Sequence, residues 1–553
     1  MSPCLPVYLS TCLPVYLSPC LPVSLSLLPS HVTIGVMKQT VQPSSPSLGT
    51  PAATPAVEGA PTPRQTGRRL LVNTSALAGS SVWRIVTSFV LQLVIARQLG
   101  VVGLGQYTIA LAYLNVCQIL TELGLPALLV RDLAQMPWLR RHYFRLALTV
   151  QLVAGLLVWG LLVLVTSLLP FSSAAQSMLW IVGASLPFYA VTSVTQTLFQ
   201  ASEQMETVMG IELLINTLIL FGSIGAILLG GTTQHLAAVL VVTQMVSAGV
   251  GLLLLGRSPI FAEPQERVHW QWSWLWRRAG PFYSLSLADV LLQRTDIMLL
   301  SIVAGETVTG MYGAAYNLVR VGLKLVQNFW AALYPTLSRL YRQTPQHYTR
   351  LSNFSLRYGL LALLAAAAMG AGLTPDLLHL IYGADYREAS VVLAILLWSA
   401  PLYLLENYTQ MLLMVEQRPF QSLLVTGLHL LMLLCLIPLL TPGLGAPGAA
   451  WAVLAAGGAG ALMSFYLLHR AAMPHTIAKP YTMLALAAGS FLLSLYLPLA
   501  WPWRLLIGGA LYGAVAWWAQ LIDPQDWQLV RRILGKGDAT APTLDNEAGN
   551  LVK

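Results

Sequence analysis

From residue 68 to about residue 522 the chain alternates between long apolar runs and short polar breaks. Each run has about 20 residues, the length that carries an α-helix across a bilayer. The runs fall at 75–97, 105–126, 145–169, 175–199, 209–230, 235–256, 280–304, 308–334, 354–374, 389–414, 420–440, 447–469, 480–500 and 503–521. The breaks carry Pro, Gly or charge: Pro170-Phe171-Ser172, Gly230-Gly231, Gly305-Glu306, Thr441-Pro442-Gly443 and Pro502. Such residues end helices or turn the chain. The pattern predicts an all-α polytopic membrane protein with about 14 transmembrane helices.

Composition agrees. Hydrophobic residues make up 56% of the 553 residues and charged ones 9%, against about 25% charge in a soluble domain. The mean hydropathy is +0.67. The net charge of +9 gains meaning from its location. With the N-terminus placed in the cytoplasm, the inner segments from Arg64 to Lys536 hold twenty-one Lys and Arg, counting Arg145 and Arg357 at the inner ends of their spans. The outer segments hold three: Arg97, Arg387 and Arg504. A missed span would scramble this bias in every later loop. A multi-pass protein of the cell (plasma or inner) membrane with both termini cytoplasmic is expected. Trp270, Trp272, Trp274 and Trp276 precede the seventh span as an interfacial anchor.

Several function classes drop out. No basic cluster sits in a soluble domain large enough for nucleic acid. Cys4, Cys12 and Cys20 lie in a terminal repeat and Cys117 and Cys435 in apolar runs, where they read as small packing residues. Neither a disulfide framework nor a metal spacing emerges. No GxxxxGK[ST] loop occurs, and no nucleophile–base constellation stands out. The chain is expected to be no enzyme and to need no cofactor. At the N-terminus, residues 3–26 are three octapeptides, PCLPVYLS, TCLPVYLS and PCLPVSLS. Their prolines forbid a regular helix, and no basic region precedes them as in a secretory signal. A Ser/Thr/Pro/Ala-rich stretch follows, so residues 1–67 read as a disordered extension.

An internal repeat is visible. Gly100-Val-Val-Gly-Leu-Gly105-Gln-Tyr107 opens the second span and Gly305-Glu-Thr-Val-Thr-Gly310-Met-Tyr312 the eighth. Both read GxxxxGxY, 205 positions apart, and Ala110 and Ala315 match at the same offset. Pro126 to Arg131 and Pro335 to Arg339 match with a one-residue slip. Copies six spans apart point the same way through the membrane, which predicts two pseudo-symmetric six-helix lobes plus two C-terminal helices. The expected division is 68–256 for the first lobe, 257–279 for a cytoplasmic linker, 280–470 for the second lobe, 471–522 for the extra spans and 523–553 for a cytoplasmic tail. Transporters built from such repeats bind cargo between the lobes near the midplane. Both lobes lie on one chain, so a monomer is expected.

Charge within a span costs at least about 2.5–3.5 kcal/mol per residue and usually marks function. On a helical wheel Ser286, Asp289, Gln293 and Asp296 share one face of the seventh span, while Arg294 lies off it. Gly313, Asn317, Arg320, Lys324 and Gln327 form a stripe on the eighth, and Ser81, Arg84 and Ser88, with Gln92, a shorter one on the first. At about 1.5 Å per residue, Asp289 reaches the depth of Lys324 or Arg320 on the adjacent antiparallel helix. Under one reading these charges are ion pairs that fix helix register, which suits Arg294 best. Under the other they line a net cationic cavity for an anionic head group such as phosphate or pyrophosphate, to which Arg is well shaped. Further acids, Glu122, Glu212 and Glu406, lie nearer the inner ends as candidate gates or coupling sites.

Longer stretches resemble a known family. They are Ala96-Arg-Gln-Leu-Gly100, Gly124-Leu-Pro-Ala-Leu-Leu-Val-Arg131, Arg294-Thr-Asp-Ile-Met-Leu-Leu, Gly310-Met-Tyr-Gly-Ala-Ala-Tyr, Ala332-Leu-Tyr-Pro-Thr-Leu-Ser-Arg339 and Ile381-Tyr-Gly-Ala-Asp-Tyr386. The chain resembles the polysaccharide-biosynthesis flippases of the multidrug/oligosaccharidyl-lipid/polysaccharide exporter superfamily over about residues 68–522. That resemblance implies two lobes in a V, alternating access, a polyprenyl-pyrophosphate-linked oligosaccharide as cargo and coupling to H+ or Na+. The pyrophosphate would sit on Arg84, Arg320 and Lys324. A cation-coupled multidrug exporter of the same superfamily is a second reading, but it wants an acidic cavity. A membrane glycosyltransferase or polymerase is a third. It is disfavoured by an outer face whose longest loop, about Pro375 to Glu388, has some fourteen residues.

The topology is checked by labelling with a membrane-impermeant thiol reagent in intact cells, on a background without native cysteines. Arg387→Cys should react from outside and Arg342→Cys only after permeabilisation; the reverse pattern refutes the orientation.

Overall fold

The computed structural model describes residues 63–261, 272–470, 480–496 and 501–521. The octapeptide repeats, the tail 523–553 and Trp270 lie outside the described residues; Trp272, Trp274 and Trp276 are described in backbone only. The described residues form α-helices joined by short turns, without strands. In chain order the helices are α1 (Pro63–Gln98), α2 (Gly100–Glu122), α3 (Leu125–Gln135), α4 (Arg140–Leu168), α5 (Ser173–Gly183), α6 (Leu186–Ala201), α7 (Met205–Leu228) and α8 (Thr233–Arg257). They continue as α9 (Trp272–Gln343), α10 (Pro345–Gly372), α11 (Thr374–Ile381), α12 (Ala389–Val415), α13 (Pro419–Leu444), α14 (Ala446–His469), α15 (Pro480–Tyr496) and α16 (Trp501–Trp518).

Ten stretches among the described residues are long and apolar enough to cross a membrane, and they coincide with ten of the runs read from sequence. The other four runs fall on the two halves of α9, on α15 and on α16. The α9 halves carry the polar stripes, which lowers their apolarity. The fourth run is broken at Ala184-Ser185 into α5 and α6, which together supply one span. Two boundaries differ from expectation. The second span ends at Glu122, where Leu123 and Gly124 both take positive φ, and α3 starts afresh at Leu125 with Pro126 in its first turn. Pro335 instead lies inside the unbroken second half of α9, so the likeness of 126–131 to 335–339 does not extend to the backbone. The break expected at 441–443 comes at Gly445, whose positive φ ends α13. Cys117 is buried as expected, but Cys435 is exposed.

The 72 residues of α9 are a helical hairpin, because Gly305 leaves helical geometry at φ 75° and ψ −168°. Only glycine enters that region without strain. Gly100, its counterpart in the repeat, also has positive φ. Other turns match in the same sense: Glu203 with Gln417 after α6 and α12, and Gly230 with Gly445 after α7 and α13.

The two GxxxxGxY motifs pack against each other. A Cβ on Gly105 would collide with the Glu306 carbonyl, and one on Gly310 with the Val101 carbonyl. Each would also lie 3.1 Å from the backbone nitrogen of the other glycine. The contact is symmetric residue for residue: 306 stands four before 310 as 101 stands four before 105. Small residues let helices in lipid approach to backbone contact. Around this crossing one apolar core joins both parts of the chain, including Leu91 and Ile95 of α1, Ile109 of α2, Tyr312 of α9 and Leu393 of α12.

Polar contacts close the same end. Gln106 Nε2 donates to Glu306 Oε2 at 2.7 Å, and Ser172 Oγ donates to the other oxygen of that carboxylate. Arg97 donates to the Leu380 and Ile381 carbonyls at 2.7 and 2.9 Å, and Tyr386 Oη to the Ala96 carbonyl at 3.3 Å. At the opposite, Arg-rich end the apolar core divides. One cluster gathers α3, α4, α6, α7 and Ala279; the other gathers the second half of α9 with α10, α12 and Leu468. There Asp132 ties α3 to the start of α9, accepting Arg278 at 3.2 Å and Arg131 at 3.0 Å.

Gly310→Leu should force α2 and α9 apart. Overpacking of this kind costs about 1–3 kcal/mol or more, so a clear fall in the thermal midpoint of the detergent-purified protein is expected. An unchanged midpoint rules out the backbone contact.

Candidate functional site

The charged cluster is organised by the α9 hairpin. Its register is set by two tyrosines of the second half: Tyr312 Oη donates to Asp296 Oδ2 at 2.6 Å, and Tyr316 Oη to the Gln293 carbonyl at 3.3 Å. The two rings stack with centroids 5.7 Å apart. Asp296, 4% exposed, also accepts from its neighbour's amide, Ile297 N, at 2.8 Å. Asp289 accepts from Gln293 Nε2 at 2.8 Å, one turn along. Both carboxylates thus accept from neutral donors, Asp289 through one oxygen only.

The cations are not. Lys324 lies within electrostatic reach of Arg320, Asp289, Arg84 and Arg294. Asp296 lies within reach of Arg294 and Arg320. Yet among the described residues none of Arg84, Arg294, Arg320 or Lys324 makes an ion pair within 4.0 Å or a hydrogen bond. Arg294 is 8% exposed, and none of its nitrogens is among the sealed unsatisfied atoms, so its head faces accessible space. Four cations therefore gather round two carboxylates whose hydrogen bonds come from neutral donors. Asp289 comes within electrostatic reach of Lys324, at the depth expected, without an ion pair inside 4.0 Å. One expectation is corrected: Arg294, set apart by the helical wheel, belongs to the cluster and makes no ion pair among the described residues.

The other expected residues sort cleanly. Arg84 and Ser88 are exposed on α1, where Ser88 accepts from Gln92 Nε2 at 3.3 Å. Asn317 is half-buried on α9. Gly313 of the same stripe instead packs on Thr108 of α2. Gln327 donates to the Tyr403 hydroxyl of α12. Tyr403, unforeseen from sequence, also bonds Asn407 and lies within electrostatic reach of Asp289 and Tyr316. The three further acids stand apart from this cluster. Glu122 accepts from Tyr189 Oη at 2.5 Å and Ser193 Oγ at 3.4 Å. Glu212 accepts from Gln196 Nε2 at 3.5 Å. Glu406 meets His429. Among the described residues no group of three His, Cys, Asp or Glu is placed to hold a metal.

Comparison with known proteins fits this geometry. The chain has the fold of a lipid II flippase, MurJ, in an inward closed conformation, with TM-score 0.63 and 12% identity over 81% of this chain and 99% of that one. An inward-facing multidrug resistance MATE family transporter of the MOP superfamily follows with TM-score 0.58 and 13% identity over 70% of this chain and 93% of that one. No curated protein matches by sequence. Over residues 70–341, which hold the first eight predicted spans and all but the last two residues of α9, the chain matches the family model described as polysaccharide biosynthesis protein.

Proposed function

We propose that this protein is a membrane flippase that carries a polyprenyl-pyrophosphate-linked oligosaccharide across the bilayer by alternating access, for surface polysaccharide biosynthesis. The observation that carries this reading is the surplus of unpaired cations on the α9 hairpin. A charge at membrane depth without a partner costs several kcal/mol, and a phosphate or pyrophosphate supplies the missing counter-charge. Arg84, Arg294, Arg320 and Lys324 hold it, the arginines through their planar forks. Ser88, Asp289, Gln293, Asp296, Asn317 and Gln327 offer donors and acceptors to sugars. The prenyl tail stays in lipid between the two lobes.

The lobes are residues 68–256 and 280–470, with 257–279 as linker and 471–522 as two added spans. The joined core at one end and the divided cores at the Arg-rich end support a V that opens to the cytoplasm. Both termini are cytoplasmic, the working unit is a monomer in the cell membrane, and H+ or Na+ drives the cycle. Glu122, Glu212 and Glu406 are the candidate coupling or gating acids. The family and the fold it shares with a lipid II flippase favour this cargo. The multidrug transporter fold favours cation export, but the sign of the cluster opposes it.

The test is transport of a fluorescent short-chain polyprenyl-pyrophosphate oligosaccharide in proteoliposomes. Losing one charge-assisted hydrogen bond removes about 1.5–3 kcal/mol, so Arg294→Ala, Arg320→Ala and Lys324→Ala should each slow transport about 10- to 100-fold. Arg320→Lys should fall between, keeping charge without the fork. Wild-type rates in all three alanine variants, with normal membrane insertion, would end this assignment.

A further inference from the structure

Among the described residues, the most deeply buried carboxylate that the charged cluster does not use is Glu406 on α12. Its Oε2 lies 2.7 Å from His429 Nδ1 of α13, with side chains 1% and 8% exposed. Gln410 Nε2 donates to the other carboxylate oxygen at 3.3 Å and lies 3.2 Å from Thr426 Oγ1 of α13. The third wall is α14, where a Cβ at Gly460 would stand 2.7 Å from Oε2. That helix meets the carboxylate because position 460 has no side chain.

Among the described residues no Lys or Arg pairs with Glu406. Facing it are His429 and Thr426 from α13, Gln410 and Tyr403 from α12, and the bare Gly460 from α14. The charge of this site therefore turns on one imidazole. With neutral histidine a buried carboxylate lacks a cation, a costly arrangement. One proton makes imidazolium beside carboxylate and balances it. Histidine is the side chain whose ordinary titration falls in the physiological range.

The site is linked to the charged cluster. Tyr403, one turn before Glu406, lies within electrostatic reach of both Glu406 and Asp289. Its hydroxyl accepts from Gln327 on the α9 stripe. One residue thus senses both groups.

We infer that Glu406 and His429 form a proton-binding site in the C-terminal half of the molecule, and that Tyr403 and Gln327 carry its state to the cargo cluster. The step is uptake of one proton from water by the pair, with no other bond made or broken; the proton returns to water when the pair releases it. The link to cargo rests on the transport reading above; the proton site does not.

Two measurements separate them. The first is the pH-difference infrared spectrum of the protein in liposomes between about pH 5 and 8. Imidazole and carboxylate bands of one pair should change in the wild type and vanish in Glu406→Gln and in His429→Gln. A wild-type spectrum in both variants overturns the site. The second is transport of the fluorescent polyprenyl-pyrophosphate oligosaccharide against pH. A single controlling proton changes the rate by up to about tenfold per pH unit. That slope should be lost in Glu406→Gln, and lost in Tyr403→Phe while its infrared titration persists. A slope unaltered in Glu406→Gln or in Tyr403→Phe overturns the link. The expected spectra with no transport by any protein sustain the proton site and remove the flippase reading instead.

Discussion

The backbone contact between Gly105 and Gly310 is the constraint on which the remaining geometry rests. Lipid tails are as apolar as leucine, so helices in a bilayer gain little by hiding apolar side chains from them; close packing and hydrogen bonds hold them together. Here two helices touch through bare backbone, and each copy of the motif places its carbonyl four residues ahead over the other's glycine. The second half of α9 is thereby pinned to α2 at the end where Glu306, Arg97 and Tyr386 also make their contacts. Away from that pin the apolar cores separate. Asn317, Arg320, Lys324 and Gln327 lie successively further from the pin along the same helix, so the polar stripe runs from the closed end toward the divided one.

What the stripe meets explains why its charges remain available. A buried ion pair would have been an ordinary way to carry Arg294 and Asp296 on one helix. Instead Tyr312 and a backbone amide engage Asp296, and Gln293 engages Asp289. Neutral donors stabilise a carboxylate without cancelling its charge, so the two acids temper the repulsion among four cations at a distance while leaving their hydrogen-bonding forks free. Removing either acid would raise the mutual repulsion of the cations; pairing either acid directly would consume a guanidinium. The cluster sits between these extremes.

Much of this was legible in the sequence, for definable reasons. Spans show themselves because lipid exposes side chains on most faces, so apolar runs of the right length are hard to mistake. The repeat shows itself because Gly100 and Gly305 adopt positive φ, and Gly105 and Gly310 leave no space for a Cβ. The equivalent turns at Glu203 and Gln417 also take positive φ, but with residues that do not advertise it. Arg294 escaped the helical wheel because a wheel treats one straight helix; folded into a hairpin, its long side chain reaches charges on the other arm. Pro126 and Pro335 misled in the opposite sense, since one opens a short helix and the other rides inside a long one. His429 lies alone in an apolar run, 23 positions from Glu406, and only the packing of α12 on α13 joins them.

The two buried polar sites differ in a way that follows from who satisfies whom. On the α9 hairpin the acids accept from neutral donors and, among the described residues, the cations have no ion pair, which is why the proposed cargo is an anion with several acceptor atoms. Between α12 and α13 the acid lies against His429, its one neighbour among the described residues able to become a cation, and α14 approaches the third side at Gly460. On the proposed reading the first site takes up an anion and the second a single proton. Because Tyr403 borders both, completing one changes the electrostatic setting of the other, and by linkage the effect must run in both directions.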